Sequence, residues 1–300
     1  MSSSPYFAAF ALLINATVWG LSWRPFKALE QGGIHPLWTT FFIFSLAALV
    51  MLIHSGRYLR VWLGQPLPWI LLLAAGLTNV CFNTAVALGD VVRVVLLFYV
   101  MPLWSALLAR IILQERITLA AALKILLGLA GAMLVVQQGG ERLPLPQSLP
   151  DWLALAGGFC FALNNVLLKK MQALPGAVCA TAMLCGAALV SGLAAAGLSA
   201  GGLIRIPGAV SADQVWLLLS WSGLFLLGNM CLQFGASRLP PGATAMIMLS
   251  EVLIGTLSAW FMGVSLIRPQ DWLGGALILA ASAVSLWRPH KSGKAPIRLT

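Results

Sequence analysis

The chain has 300 residues, of which 60% are hydrophobic and 9% charged, with a mean hydropathy of +0.93 and a net charge of +10. A soluble domain keeps a polar and charged coat, so this composition excludes one. The positive charge fits a basic cytoplasmic face on anionic lipid and does not require nucleic acid.

The first element is an uncharged run of 17 residues, Tyr6 to Ser22. A bilayer span needs about 20 mainly apolar residues. Such runs recur between short charged stretches and predict ten helices, at 6–23, 36–54, 67–88, 91–110, 117–137, 151–169, 176–198, 213–235, 241–262 and 270–288.

Segment 1 carries Asn15, Trp19 and Ser22 along one stripe. Segment 2 opens on Pro36-Leu37-Trp38 and segment 3 on Pro68-Trp69. Segment 3 also holds Asn79 and Asn83, whose spacing puts both amides on one helix face. Segment 4 starts at Arg93, placed to meet either a solute carboxylate or a lipid headgroup. Near its middle Pro102 lacks an N–H and frees the carbonyl of Phe98, so a hinge is expected there. Tyr99 and Trp104 flank this break, as rings for a flat solute or as ordinary packing. Segment 5 contains Lys124, two turns in, expected to snorkel toward the cytoplasm.

Segment 6 opens on Asp151-Trp152 and holds Asn164 and Asn165. Segment 7 ends in Gly197-Leu198-Ser199-Ala200-Gly201, which matches both a hydrolase elbow and a small-residue packing motif. The elbow needs a strand and a histidine partner, and His35, His54 and His290 lie near helix ends or in the tail. Helix packing or a glycine-rich exit is therefore expected. Segment 8 opens on Gln214-Val215-Trp216 and repeats the amide pair as Asn229 and Gln233. Segment 9 has Glu251 at its midpoint, with Ser250 beside it as a hydrogen-bond donor. An intramembrane carboxyl is costly and functional by default. It would pair with an ammonium or cation, cycle a proton, or serve as a protonated structural group. Segment 10 opens on Asp271-Trp272. These entrance tryptophans suit the headgroup level, and the aspartates suit the positive ends of helices.

Lys and Arg set the orientation. With the N-terminus inside, eleven basic residues face inward (Arg57, Arg60, Arg110, Arg116, Lys169, Lys170, Arg238, Arg288, Lys291, Lys294, Arg298) and six outward (Arg24, Lys27, Arg93, Arg142, Arg205, Arg268). Both termini are thus expected in the cytoplasm, although Arg24 and Lys27 locally oppose the rule. No basic region precedes segment 1, so no cleaved signal peptide is expected. Cys81, Cys160, Cys179, Cys185 and Cys231 fall inside the segments without CxxC spacing, as free core thiols. No HExxH, P-loop or GxGxxG run is present, so no metal, cofactor or ATP is expected.

The halves repeat. Asn15 maps onto Asn165, Asn79 onto Asn229 and Asn83 onto Gln233, each 150 residues apart. Five helices per half is an odd number, so the second copy enters the membrane from the opposite side. The expected fold is an all-α polytopic membrane protein, ten transmembrane helices as two inverted five-helix repeats around a central cavity. Residues 1–138 form the first repeat, 139–150 an external loop, 151–288 the second repeat and 289–300 a cytoplasmic basic tail.

Val100-Met101-Pro102-Leu103-Trp104 within segment 4 and Leu113-Gln114-Glu115-Arg116 closing it resemble the drug/metabolite transporter superfamily, in its ten-helix EamA-like exporter branch. Val264 departs from the pattern where the second half would match Glu115. The resemblance spans about residues 8–288. It implies a cavity between segments 1, 3, 4, 6, 8 and 9, and a kinship with bacterial aromatic amino acid exporters.

The expected function is export of small metabolites by alternating access, amino acids including aromatic ones, across the bacterial inner membrane by a monomer. The expected solute contacts are Asn15, Trp19, Asn79, Asn83, Tyr99, Trp104, Asn165, Asn229, Gln233 and Glu251, with Pro102 as hinge. Those amides would otherwise be interhelical glue. Alternatives are a carrier of another neutral or cationic metabolite or drug, or an intramembrane enzyme. Phosphorylated solutes would call for paired Lys or Arg at midplane, which the chain lacks.

Overall fold

The structure, a computed structural model, describes residues 5–89, 91–136, 146–264 and 268–287. Most of the expected 139–150 loop and the whole 289–300 tail lie outside the described residues. Among the described residues the regular structure is entirely helical. In chain order it comprises α1 (Pro5–Leu21), α2 (Trp23–Gln31), α3 (Pro36–Ser55), α4 (Leu59–Leu63), α5 (Pro66–Leu88), α6 (Val91–Phe98) and α7 (Met101–Ile112). There follow α8 (Leu119–Val136), α9 (Leu149–Lys170), α10 (Gly176–Ala200), α11 (Ala212–Ala236), α12 (Pro241–Met248), α13 (Ser250–Phe261) and α14 (Pro269–Trp287).

Local chemistry fixes the starts. Proline in the first turn opens α3, α5, α9 and α12, where its missing N–H has no partner to lose. Capping boxes open α9 (Ser148 with Asp151) and α11 (Ser211 with Gln214). His35 caps α3 by accepting from the Leu37 N–H at 3.2 Å, and burial lowers its pKa, favouring the neutral ring that can accept.

The surface is inverted relative to a soluble protein. Phe7, Ile53, Leu193 and Phe261 are exposed, while Asn15, Thr39, Asn165, Ser191 and Thr244 are fully buried. Among the described residues, eight helices are long and apolar enough to cross a membrane. This is a multi-helix membrane protein.

Eight of the ten expected spans are matched in length and apolarity among the described residues. The segments expected at 117–137 and 270–288 fold as α8 and α14, which pack together. Segments 1, 4 and 9 are interrupted, giving α1/α2, α6/α7 and α12/α13.

Helices of one half pack mostly on helices of the other. α1 packs on α11, α12 and α13, and α9 packs on α5, α6 and α7. α3 packs on α10 and α11, and α10 packs on α3 and α5. Exchanging the halves maps these pairs onto one another. The α8–α14 seam is built on glycines: a Cβ on Gly131 would come 2.6 Å from the Gly274 carbonyl oxygen, and one on Gly274 2.5 Å from that of Gly131. Small residues of this kind let membrane helices approach backbone to backbone.

Candidate functional site

Two helix interruptions meet in the middle of the bundle. In the first, Tyr99 N–H bonds Val95 O at 3.0 Å, then Val100 N–H reaches back only to Leu97 O at 3.3 Å. Pro102 donates nothing, and the carbonyl of Phe98 is pressed against Gly158 of α9, where a Cβ would sit 2.6 Å from the oxygen. The second falls at Leu249, 150 residues after Tyr99, where Val252 N–H bonds Leu249 O at 3.1 Å. It has no proline. The sequence signals the first break and conceals the second.

Glu251 lies in the first turn of α13, just past that second break, and is half-buried. Its carboxylate has no hydrogen-bond or salt-bridge partner among the described residues, and it interacts electrostatically with the Tyr99 hydroxyl. The expected bond from Ser250 is corrected: Ser250 Oγ donates to Ile247 O at 2.7 Å instead. Gly20 of α1 lies against the Glu251 carbonyl, where a Cβ would approach to 2.9 Å. α1 and α13 therefore meet at the acid itself.

Other expected residues gather around α1. Asn15 donates to Met248 Sδ at 3.5 Å, and its Oδ1 lies against Gly228 without a donor. Trp19 meets Phe225 edge-on at 4.8 Å, and Asn229 donates to the Phe225 carbonyl at 2.9 Å. On α5 and α9, Asn79 donates to Ala75 O at 2.9 Å, and its Oδ1 and both amide atoms of Asn165 are buried without partners. Trp104 packs edge-on to Phe159 at 5.7 Å, its indole N–H buried and unpartnered.

Two of the expected contacts are turned to neighbouring helices. Asn83 donates to Thr40 Oγ1 of α3 at 2.7 Å. Gln233 lies against Gly176 of α10, where a Cβ would come 2.6 Å from its Oε1. These repeat-equivalent amides lie against repeat-equivalent helices. Thr40 escaped the sequence analysis, because a hydroxyl that bonds its own helix, here the Pro36 carbonyl at 2.8 Å, gives no signal by residue type.

One end of the bundle is marked by the bonds Trp23 Nε1 to Ser258 Oγ (3.0 Å), Gln214 Nε2 to Gly32 O (3.0 Å) and Trp38 Nε1 to Ser199 Oγ (3.3 Å). The last removes the hydrolase elbow, since Ser199 holds a tryptophan; Cβ atoms on Gly197 would meet nothing, so this is a helix exit rather than a packing motif. Arg93 is also there, bonded to Asp151 at 2.8 Å, a partner that the sequence did not indicate. Arg268 likewise pairs with Asp271 at 2.7 Å. The opposite end carries α4, the Ser55–Thr181 bond at 2.7 Å and the bond from Lys169 Nζ to Arg238 O at 2.9 Å.

The matched packing of the halves is incomplete around one interrupted helix. α12 packs on α7 at the α4 end and also on α8 and α9, whereas α6 has no comparable packing on α13 at the α2 end, nor on α14 or α1, among the described residues. A hollow of about 490 Å³ lies at the α2 end, lined by Trp23, Arg24, Lys27 and Gln31 together with Met262 and Val264. None of the expected solute contacts lines it. All five cysteines are free, and among the described residues no cluster of His, Cys, Asp or Glu could hold a metal.

Comparison with known proteins places the first half. Residues 6–137 match the EamA-like transporter family. The EamA-like segment runs from α1 to the end of α8 and so includes the interrupted α6/α7 pair. One crystal structure of another protein, at 18% identity, superposes with a TM-score of 0.74 over 95% of this chain and 98% of its own, which extends the likeness of fold beyond that segment. No curated protein sequence matches the chain.

Proposed function

We propose that the chain is a secondary carrier that moves small organic solutes across a membrane by alternating access. The observation that carries this is an asymmetry between the halves: α12 packs on α7, whereas its counterpart α6 has no comparable packing on α13 among the described residues. Two inverted five-helix repeats, each with a helix interrupted at the same position, can exchange those contacts and open the other end. With the N-terminus in the cytoplasm of a bacterial inner membrane, the α2 end faces outward, and its weaker packing is read as the open side.

The interior supports a solute of mixed character. Glu251 offers a charge partner for an ammonium or proton, the unpartnered Oδ1 atoms of Asn15 and Asn79 accept, and Tyr99 and Trp19 supply rings. Amino acids, aromatic ones included, fit this set, and export is their expected direction. A neutral or cationic metabolite or drug is the second reading, favoured by the absence, among the described residues, of a second charged group beside Glu251.

Counterflow of labelled solutes in proteoliposomes, across an amino acid panel with and without a pH gradient, tests both. Exchange of amino acids supports the first, and exchange confined to amines or neutral solutes supports the second. Chemical conversion without translocation would replace a carrier by an enzyme.

A further inference from the structure

We propose that the hollow at the α2 end is an entry site for the carboxylate of the transported solute, a proposal that rests on the carrier function above. Its basis is a contrast in how cations are used at this end. Arg93 and Arg268 are neutralised by Asp151 and Asp271. Arg24 and Lys27 line the hollow, and neither makes an ion pair among the described residues. Glu30, the acid on the same helix, does not line it.

The sequence makes that arrangement costly. Under the proposed orientation both cations sit on the outer side, against the positive-inside tendency. Geometry gives them a local use. They lie three residues apart on α2, one turn beyond Trp19, and Trp23 beside them is fixed to α13 through Ser258. The walls are therefore an indole and the apolar Met262 and Val264, with cations and the Gln31 amide on the other side. A hollow of about 490 Å³ holds a solute of amino acid size with space for water. Two unneutralised cations at the mouth of an apolar dish concentrate anions and raise their rate of arrival. A carboxylate held there leaves the rest of the solute directed along α1 toward Trp19 and Glu251. The amino acid is thus sorted by charge, anionic group to the mouth and ammonium to the interior.

The test uses the full chain in nanodiscs of phosphatidylcholine, with phenylacetate and its neutral isostere phenylacetamide as probes, followed by saturation-transfer NMR. Phenylacetate is expected to bind about fivefold more tightly than the amide, an advantage that salt erodes. Arg24→Gln with Lys27→Gln should erase the difference, and Arg24→Lys should retain it. If the double variant unfolds, Lys27→Gln alone is measured and should roughly halve the preference. An unchanged preference in the variants overturns the site. Discs containing phosphatidylglycerol distinguish the other source of an oxyanion: loss of phenylacetate binding there, with lipid retained through Arg24 and Lys27, assigns the hollow to lipid phosphate and also overturns it. Counterflow is run in parallel. Variants with normal counterflow and unchanged preference defeat the entry site alone, whereas a wild-type chain without counterflow for any solute defeats the carrier.

Discussion

Arg93 Nε stands 2.8 Å from Asp151 Oδ1, so the start of α6 is tied to the first turn of α9 across the two halves of the chain. Asp151 is 2% exposed and also accepts from the N–H groups of Gln147 and Ser148 at 2.9 and 3.1 Å. One carboxylate thus caps a helix and holds its neighbour. Asp151→Ala removes both and strands a guanidinium, so it should cost about 3 kcal/mol or more in thermal or denaturant unfolding. Arg93→Gln, which leaves the cap intact, should cost distinctly less. Equal losses for the two would show that the cap contributes nothing.

Glu251→Gln keeps the shape of the acid and removes its charge. Counterflow should fall at least tenfold, or lose its pH dependence, while thermal stability stays near wild type. A fully active variant with an unaltered pH profile would leave solute recognition to amides and rings alone.

Pro102→Ala restores an N–H two residues beyond the Tyr99–Val100 interruption. The matching break at Leu249 persists without proline, so the fold should survive. The expected effect is on rate: counterflow slows several-fold with stability within about 1 kcal/mol of wild type. Wild-type rates in a well-expressed variant would remove Pro102 as a hinge.

Gly131→Leu drives a side chain into the Gly274 carbonyl. Overpacking of this kind costs about 1–3 kcal/mol, read as a lowered unfolding temperature. The same change at Gly223, where a Cβ meets nothing, should be silent.

Topology is checked by single-cysteine labelling in intact cells, in a background stripped of the native cysteines. Ser55 is buried and bonded to Thr181, so Gly64→Cys is the better probe of the α4 end, with Gln147→Cys for the other. Impermeant reagent should label residue 147 only. Labelling of residue 64 alone would reverse the orientation.

What the sequence made legible follows from what hydropathy encodes. Helix positions emerged because apolar runs and their proline or capping entrances are local signals. The interruption at Tyr99–Val100 was visible through Pro102, whereas that at Leu249 has no residue to announce it. Asn15, Trp19, Asn229 and Glu251 were found by residue type, since amides and acids are conspicuous in an apolar helix. Their partners were not, because the Asn83–Thr40 and Arg93–Asp151 bonds join segments whose relative rotation is a tertiary property. The hollow beside Arg24 and Lys27 was hidden for the same reason: in the sequence these two appeared only as exceptions to a charge rule.

The interlocking of the halves has a consequence for biosynthesis. α1, α5 and α8 find their main partners in α11, α9, α10 and α14, all of which are made later. At about 5–20 residues per second, the first half waits in the bilayer for roughly ten to thirty seconds before those partners emerge. During that interval Asn15 lacks Met248, the partner it bonds in the second half, and the nascent chain is open to capture by a membrane chaperone or by another copy of its own first half.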